Sequence, residues 1–458
     1  MTTTAIDRIY KTFEDAFARV AQRDTTEIRI GAELKFPLVQ RKDGRAVAPE
    51  IVDALWHYLA DRGWTLDYDG AMKKPTGGRK PGEQNDSVAS CETGYCKPEF
   101  SLAHVGDLHV LTKQIKELRE ELRPFSEEHD AVFLAYGIQP VSPPTADLMM
   151  KKTRSGVWDD IFGANRVISP EDGDDVCLFT VNAASHVHVG LGQKDILRAV
   201  NVLNGFSAAQ LSLTGDSPIW RGEIDPKFKC VSEMFWDWWI PEGSRVGIPE
   251  RRFDTLRDYV ETVAGFKPVY VKRDGEAVLV RSYDTFEQYF DGNPATGVDL
   301  EGKEIEIIPD TTDIDLHNSC YWFNSRVSRY FTVENRTNDQ QPPDDVQCIA
   351  ALTLGLVSAL DDAEEEIQSY DWHELRSLRK PACMHGLDDA QTSGLEPYDL
   401  AVRMVDIAHR GLRRRGKGEE DYLLPFFDRL KQRKNPADQA LEIFRERGIE
   451  GLLEERRF

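Results

Sequence analysis

A chain of 458 residues can bury a large core, and its length allows about three domain equivalents or one elaborated catalytic domain. Charged residues make up 30% and the formal net charge is -22, which argues against nucleic acid or an anionic membrane as the main partner but leaves room for a local basic pocket. The longest apolar-rich stretch, Cys348 to Leu360, falls far short of a membrane span, and the seven scattered cysteines with no recognisable secretory leader lead us to expect reduced thiols in a cytoplasmic protein.

Ile6, Ile9, Tyr10, Phe13, Phe17 and Val20 recur every three or four residues, so the N-terminal segment is expected to be an amphipathic helix. From Glu27 to Leu38 the pattern alternates as in a strand, with Ile28, Ile30, Ala32, Leu34 and Phe36 on one face and Arg29, Gly31, Glu33 and Lys35 on the other. Residues 68 to 90 are rich in Gly, Pro and Asn and read as loop. Glu92 and Glu99 follow, seven apart, and an unbroken strand would point them to opposite faces. A turn or bulge at Gly94 or Pro98 is therefore required if both serve one site. Leu108 to Leu122 has helical spacing, and Ala131 to Tyr136 reads as a short strand before Gly137-Ile-Gln-Pro140. The basic cluster containing Lys152 and Arg154 suits phosphate or simple exposure.

The stretch from Thr180 to Leu191 carries His186, His188 and Gly190 on one strand face and Val187, Val189 and Leu191 on the other. Two imidazoles beside a glycine suit a metal or phosphate site, and a half-exposed strand that happens to carry histidines is the competing reading. Asp195 is expected to cap a helix running towards Leu213. The block from Met234 to Ile240, with Trp236 and Trp238, reads as core or pocket wall. Ser328 to Arg336 reads as a strand with Glu334 and Arg336 on one face. Helices are expected at Val346 to Leu360, Tyr398 to Arg415 and Pro436 to Arg447.

Glu33, Glu92, Glu99, His186, Glu334 and Arg336 thus all lie on or beside strand-like stretches, a donor set compatible with Mg²⁺ held between carboxylates and substrate phosphates. No Walker loop, kinase glycine loop or dinucleotide fingerprint is present. The order of motifs resembles the glutamate–cysteine ligases, specifically the plant-like and bacterial group of the carboxylate–amine ligase superfamily. Ile30-Gly-Ala-Glu33, Glu92 and Glu99 with Phe100-Ser-Leu102, Gly137-Ile-Gln-Pro140, His186-Val-His-Val-Gly190, Asn201 to Pro218, and Glu334-Asn-Arg-Thr-Asn-Asp339 carry the likeness. Ala408 to Leu412 and Asn435-Pro-Ala437 extend it into the C-terminal helices.

The resemblance implies a glutamine-synthetase-like α+β fold: a curved, mostly antiparallel sheet forming a funnel, helices outside, and a helical C-terminal region. It implies one catalytic domain over 1–458, with the sheet core at about 25–340 and helices at about 344–458. Two or three Mg²⁺ are expected on Glu33, Glu92, Glu99, His186 and Glu334. ATP phosphates are assigned to Lys152, Arg154 and Arg336, catalytic roles to Arg336, Lys35 and His188, and substrate contacts to Lys229, Trp236 and Arg245. The implied reaction joins the γ-carboxylate of glutamate to an amine through an acyl phosphate, with cysteine as acceptor, in glutathione biosynthesis. A different amine in specialised metabolism is the alternative, as are a phosphotransferase and a non-catalytic metabolite-binding relative. A monomer or homodimer is expected.

Two departures stand out. The family's first strand carries Glu-x-Glu, whereas Lys35 follows Glu33 here. Either a metal carboxylate is missing, or the register slips and Lys35 is the family's following lysine. An arginine that holds substrate carboxylate in relatives is absent from Cys230-Val-Ser-Glu233, ahead of Trp236, with Lys227, Lys229 and Arg245 as the nearby cations.

Overall fold

The computed structural model describes residues 4–458 except 22–27, 70–72, 83–84, 153–156, 158–172, 174, 240–244 and 391–393. The eight strands of the main sheet are β1 (Ile30–Lys35), β2 (Thr65–Tyr68), β3 (Pro75–Lys80), β4 (Ser87–Cys91), β5 (Pro98–Ser101), β6 (Ala184–Gly190), β7 (Ser325–Val327) and β8 (Thr332–Asp339). They run in the order β7-β8-β6-β1-β5-β4-β3-β2, and every neighbouring pair is antiparallel. The result is an α+β fold with helices and a helical C-terminal region.

Period-2 alternation divides this sheet into two unlike faces. Ile30, Ala32, Leu34, Phe100, Val187, Val189 and Val333 are buried on the apolar side. Behind them lie the apolar helix α2 (Cys348–Ser358) and helix α3 (Pro397–Arg415), which approach so closely that a Cβ on Gly411 would sit 2.0 Å from the Gly355 carbonyl. The N-terminal helix α1 (Ala5–Ala21) forms as its spacing predicts. It buries Phe13 and Phe17 edge-on against Phe331, at centroid distances of 5.6 and 4.9 Å.

Several boundaries differ from the sequence expectation, each for a physical reason. The loop-like stretch at 68–90 contains β3 and β4. These strands are held by backbone pairing, and Gly77 is needed because a Cβ there would lie 2.2 Å from the Ala89 carbonyl. The first strand ends at Lys35, just before Phe36-Pro37. The chain resumes as a separate short strand, Leu38–Gln40, paired with Ala131–Phe133, and Glu27 lies outside the described residues. The histidine strand begins only at Ala184, after a 3-10 turn at Asp175–Thr180. Gly192, not Asp195, occupies the helix N-cap, and Asp195 sits in the first turn and binds Arg198 at 2.9 Å. The stretch from Ser328 to Arg336 is not one strand, because Ser328 to Phe331 turns the chain from β7 into β8, with Phe331 at φ 57°.

Between β4 and β5 the chain makes the turn that Glu92 and Glu99 require. Gly94 bridges to Met149 there, and a Cβ on it would lie 2.2 Å from the Thr180 carbonyl. Gly94→Ala must therefore push two backbone segments apart. We expect a loss of about 1–3 kcal/mol, the usual cost of overpacking, read as a lower denaturation midpoint with an unchanged slope. An unchanged midpoint would show that the turn yields freely.

Candidate active site

Strand register assembles the polar row. Glu33 of β1 lies opposite His186 of β6, and Lys35 lies opposite Glu99 of β5. His188 of β6 lies opposite Glu334 of β8. Directly opposed residues in an antiparallel ladder share a face, so these side chains all project to the side away from the apolar layer. A β-bulge completes the set. Asn335 pairs with Val187 but Asn338 pairs with Ser185, which leaves one extra residue on β8 opposite His186. Bulges re-aim side chains, and Arg336, within this one, places its guanidinium against Glu334 Oε1.

The row forms two centres. In the first, carboxylate and imidazole atoms of Glu33, His188 and Glu334 all lie within 4.8 Å of one another, the spacing of a metal site. His188 Nε2 is 3.1 Å from Glu33 Oε1, and its Nδ1 is 2.8 Å from the Thr332 hydroxyl, which fixes the ring. Burial opposes a charge on His188, but Glu33 holds its pKa above the ordinary value. Burial would likewise raise Glu334, but Arg326 and Arg336 hold it well below the usual carboxylate range. Arg326 donates from Nε to Glu334 Oε2 at 2.8 Å and from Nη1 to the Tyr321 carbonyl at 2.6 Å.

The second centre is built around Lys35, only 2% exposed. Its Nζ lies 3.0 Å from Glu99, 3.7 Å from Glu33, 3.8 Å from Glu92 and 3.0 Å from His186 Nδ1. Burial would discharge Lys35, but the carboxylates of Glu92, Glu99 and Glu33 more than reverse this and keep it charged. His186 is driven down to about 3 by burial and by the neighbouring Lys35 and Arg336, so it is neutral and accepts a hydrogen bond from the ammonium. Burial pushes Glu99 up to about 8 against the pull of Lys35, while Glu92, whose side chain is 39% exposed, is held low by Lys35 and Lys97.

A cavity opens beside the second centre. Lys35, Glu92, Lys97, His186, Arg326 and Arg336 are among its charged and polar lining, and Phe179, Trp236, Tyr270 and Trp322 supply aromatic surface. Trp236 stacks on Trp322 at 5.5 Å and meets Phe179 at 4.1 Å. Among the sequence-derived candidates, Glu33, Lys35, Glu92, Glu99, His186, His188, Glu334, Arg336 and Trp236 gather here. Lys229 and Arg245 are not among the described lining residues. Lys229 pairs with Asp388 and Asp438, both at 2.6 Å, and Arg245 donates to the Lys267 and Cys320 carbonyls. Lys152 donates to the Cys91 carbonyl, and Arg154 lies outside the described residues. In the segment ahead of Trp236, the Ser232 hydroxyl donates to Asp339.

Lys97, Arg326 and Trp322 escaped sequence reasoning. Arg326 was legible in principle, since a hairpin turning at Ser328 to Phe331 sets it directly across from Glu334. No glycine or proline marks that turn, so it passes for strand.

Comparison with known proteins fixes the fold. Neither a protein-family model nor a curated protein matches the chain. Among solved structures, it is similar to the glutamate–cysteine ligase of Francisella tularensis determined in complex with AMP, with TM-score 0.51, 13% identity, 94% of this chain and 87% of that one covered. A bifunctional glutathione synthetase from Pasteurella multocida gives TM-score 0.52 and 11% identity over 97% of this chain and 52% of that one. The chain has the glutamate–cysteine ligase fold. Both similarities run through the C-terminal helical region as well as the sheet, as the coverage of this chain requires.

Lys97 makes the electrostatics of the cavity measurable. Its Nζ donates to the Phe179 carbonyl and Asn182 Oδ1, both at 2.8 Å, yet burial lowers its pKa from 10.5 to about 8. Between those two values the unfolded chain holds a proton the folded chain has released, so stability rises with pH across the window by roughly 1 kcal/mol per unit. Denaturant titrations should show this rise in the wild type and a flatter profile in Lys97→Met. Parallel profiles would contradict the assignment.

Proposed function

We propose that the protein is an ATP-dependent carboxylate–amine ligase, activating the γ-carboxylate of glutamate as an acyl phosphate and transferring the acyl group to an amine, with cysteine as an acceptor to give γ-glutamylcysteine. One observation carries this reading: Glu33, His188 and Glu334 converge from three adjoining strands, and Glu334 is held by Arg326 and Arg336, both of which line a cavity in this fold.

Two carboxylates and an imidazole within 4.8 Å fit a divalent cation, and the Thr332 hydroxyl presets the His188 ring for it. Mg²⁺ bound there would polarise phosphoryl oxygens and offset their charge. The residues themselves do the rest. Arg326 and Arg336 present guanidinium groups where a phosphoryl group would gain charge, and both are held in place by Glu334. Lys97 adds an ammonium to the cavity lining, so a chain of net charge -22 nevertheless places four cations, Lys35, Lys97, Arg326 and Arg336, where phosphates and carboxylates would enter. His186, neutral and engaged with Lys35, orients that lysine.

A second reading, a γ-glutamyl ligase with a less polar amine, is favoured by the opposite wall. Trp236, Trp322, Tyr270 and Phe179 offer flat apolar surface, and Ser232 stands where a guanidinium would grip an acceptor carboxylate. The metal-compatible trio weighs against a purely binding role.

Purified protein with Mg²⁺ should convert ATP to ADP and phosphate only when both a carboxylate and an amine are present. Arg336→Gln should lower turnover by about 10²–10³-fold, the scale of one lost transition-state contact. Release of AMP and pyrophosphate would rule out the acyl-phosphate route. A panel of amines read by product mass separates the two acceptor readings: exclusive use of cysteine supports the first, and preference for an apolar amine the second.

A further inference from the structure

Glu33, Glu92 and Glu99 bring three carboxylates together around a single point, and in relatives of this fold a set of this kind is read as metal ligands. Here the point is filled. The Nζ of Lys35 stands 3.0 to 3.8 Å from all three. Mg²⁺ binds oxygens at about 2.0–2.1 Å, so an ion in this ring would have to displace the ammonium, and Lys35 is packed on β1 with 2% exposure. Among the described residues the metal-compatible group is Glu33, His188 and Glu334, and neither Glu92 nor Glu99 joins it.

We propose that Lys35 is a tethered cation standing in place of one divalent ion, so that the protein loads metal at the Glu33, His188 and Glu334 centre alone. The proposal rests on the ligase reading for what the site does, but not for how many ions it holds. An ammonium has three N–H donors. The 3.0 Å contact to His186 Nδ1 uses one, Glu99 at 3.0 Å is an ion pair without hydrogen-bond geometry, and the Glu33 and Glu92 oxygens at 3.7 and 3.8 Å are beyond hydrogen-bond distance. A donor is thus left for an oxygen of a substrate carboxylate entering the cavity that Lys35, Glu92 and His186 line. A fixed monocation grips that oxygen less strongly than a divalent ion but is never lost to dilution or chelation.

The test counts Mn²⁺ bound to the full chain without nucleotide, from the electron paramagnetic resonance of the free ion. The wild type should bind one Mn²⁺, lost in His188→Ala, and Lys35→Glu should bind two. Glu92→Gln, at a half-exposed position that the fold tolerates, should leave the wild-type count unchanged. Two Mn²⁺ in the wild type, with one lost in Glu92→Gln, would overturn the proposal and leave the ligase reading standing. No Mn²⁺ in the wild type would overturn the proposal and count against the ligase reading as well. A folded Lys35→Glu with no added ion would overturn the proposal. If Lys35→Glu fails to fold, the Glu92→Gln count decides alone.

Discussion

Crowding four carboxylates, two of them buried, onto one sheet face is the constraint that shapes the centre of this molecule. Two like charges about 4 Å apart repel by about 4 kcal/mol at an effective dielectric near 20, so Glu33, Glu92 and Glu334 cannot all stay charged on one face without cations between them, and burial pushes Glu99 towards its neutral form. Lys35 separates three of them, and Arg326 and Arg336 clamp the fourth. The apolar reverse of the same strands packs against α2, which α3 backs in turn, so the strands that carry the charged side chains are held from behind. Removing a buried partner such as Glu334, 3% exposed, leaves an uncompensated charge, which is costly in a way that a surface pair is not. The arrangement is thus kept by packing from behind and by charge balance from within.

Much of this face was legible as alternation. Glu33 and Lys35 on β1, and His186 and His188 on β6, fall on one side simply because strands have period 2. The demand for a turn between Glu92 and Glu99 followed from the same period, and the turn is there, made possible by Gly94 lying against the Thr180 carbonyl. The bulge in β8 was not legible. Its residues, Asn335 to Asn338, carry no glycine, and only the pairing with β6 reveals the extra residue that turns Arg336 onto Glu334. β3 and β4 were missed because Gly77 and Gly78 serve close backbone approach there and leave no side-chain pattern to read.

The candidate cations show the same limit. Lys229 and Arg245 are near Trp236 in sequence, but one pairs with Asp388 and Asp438 and the other with backbone carbonyls. The cavity instead takes Lys97 from the β4–β5 turn and Arg326 from β7, segments far apart in the chain and four strands apart in the sheet that meet only at the cavity. Proximity in sequence is a poor guide where a site is assembled across strands.

The most direct measurement follows one oxygen atom. Glutamate labelled with ¹⁸O in its side-chain carboxylate, incubated with ATP, Mg²⁺ and an amine, gives up a carboxylate oxygen to the departing phosphate if an acyl phosphate forms. Mass analysis of the released phosphate should then find one ¹⁸O atom in each ion. Unlabelled phosphate accompanying amide formation would contradict carboxylate activation at this site.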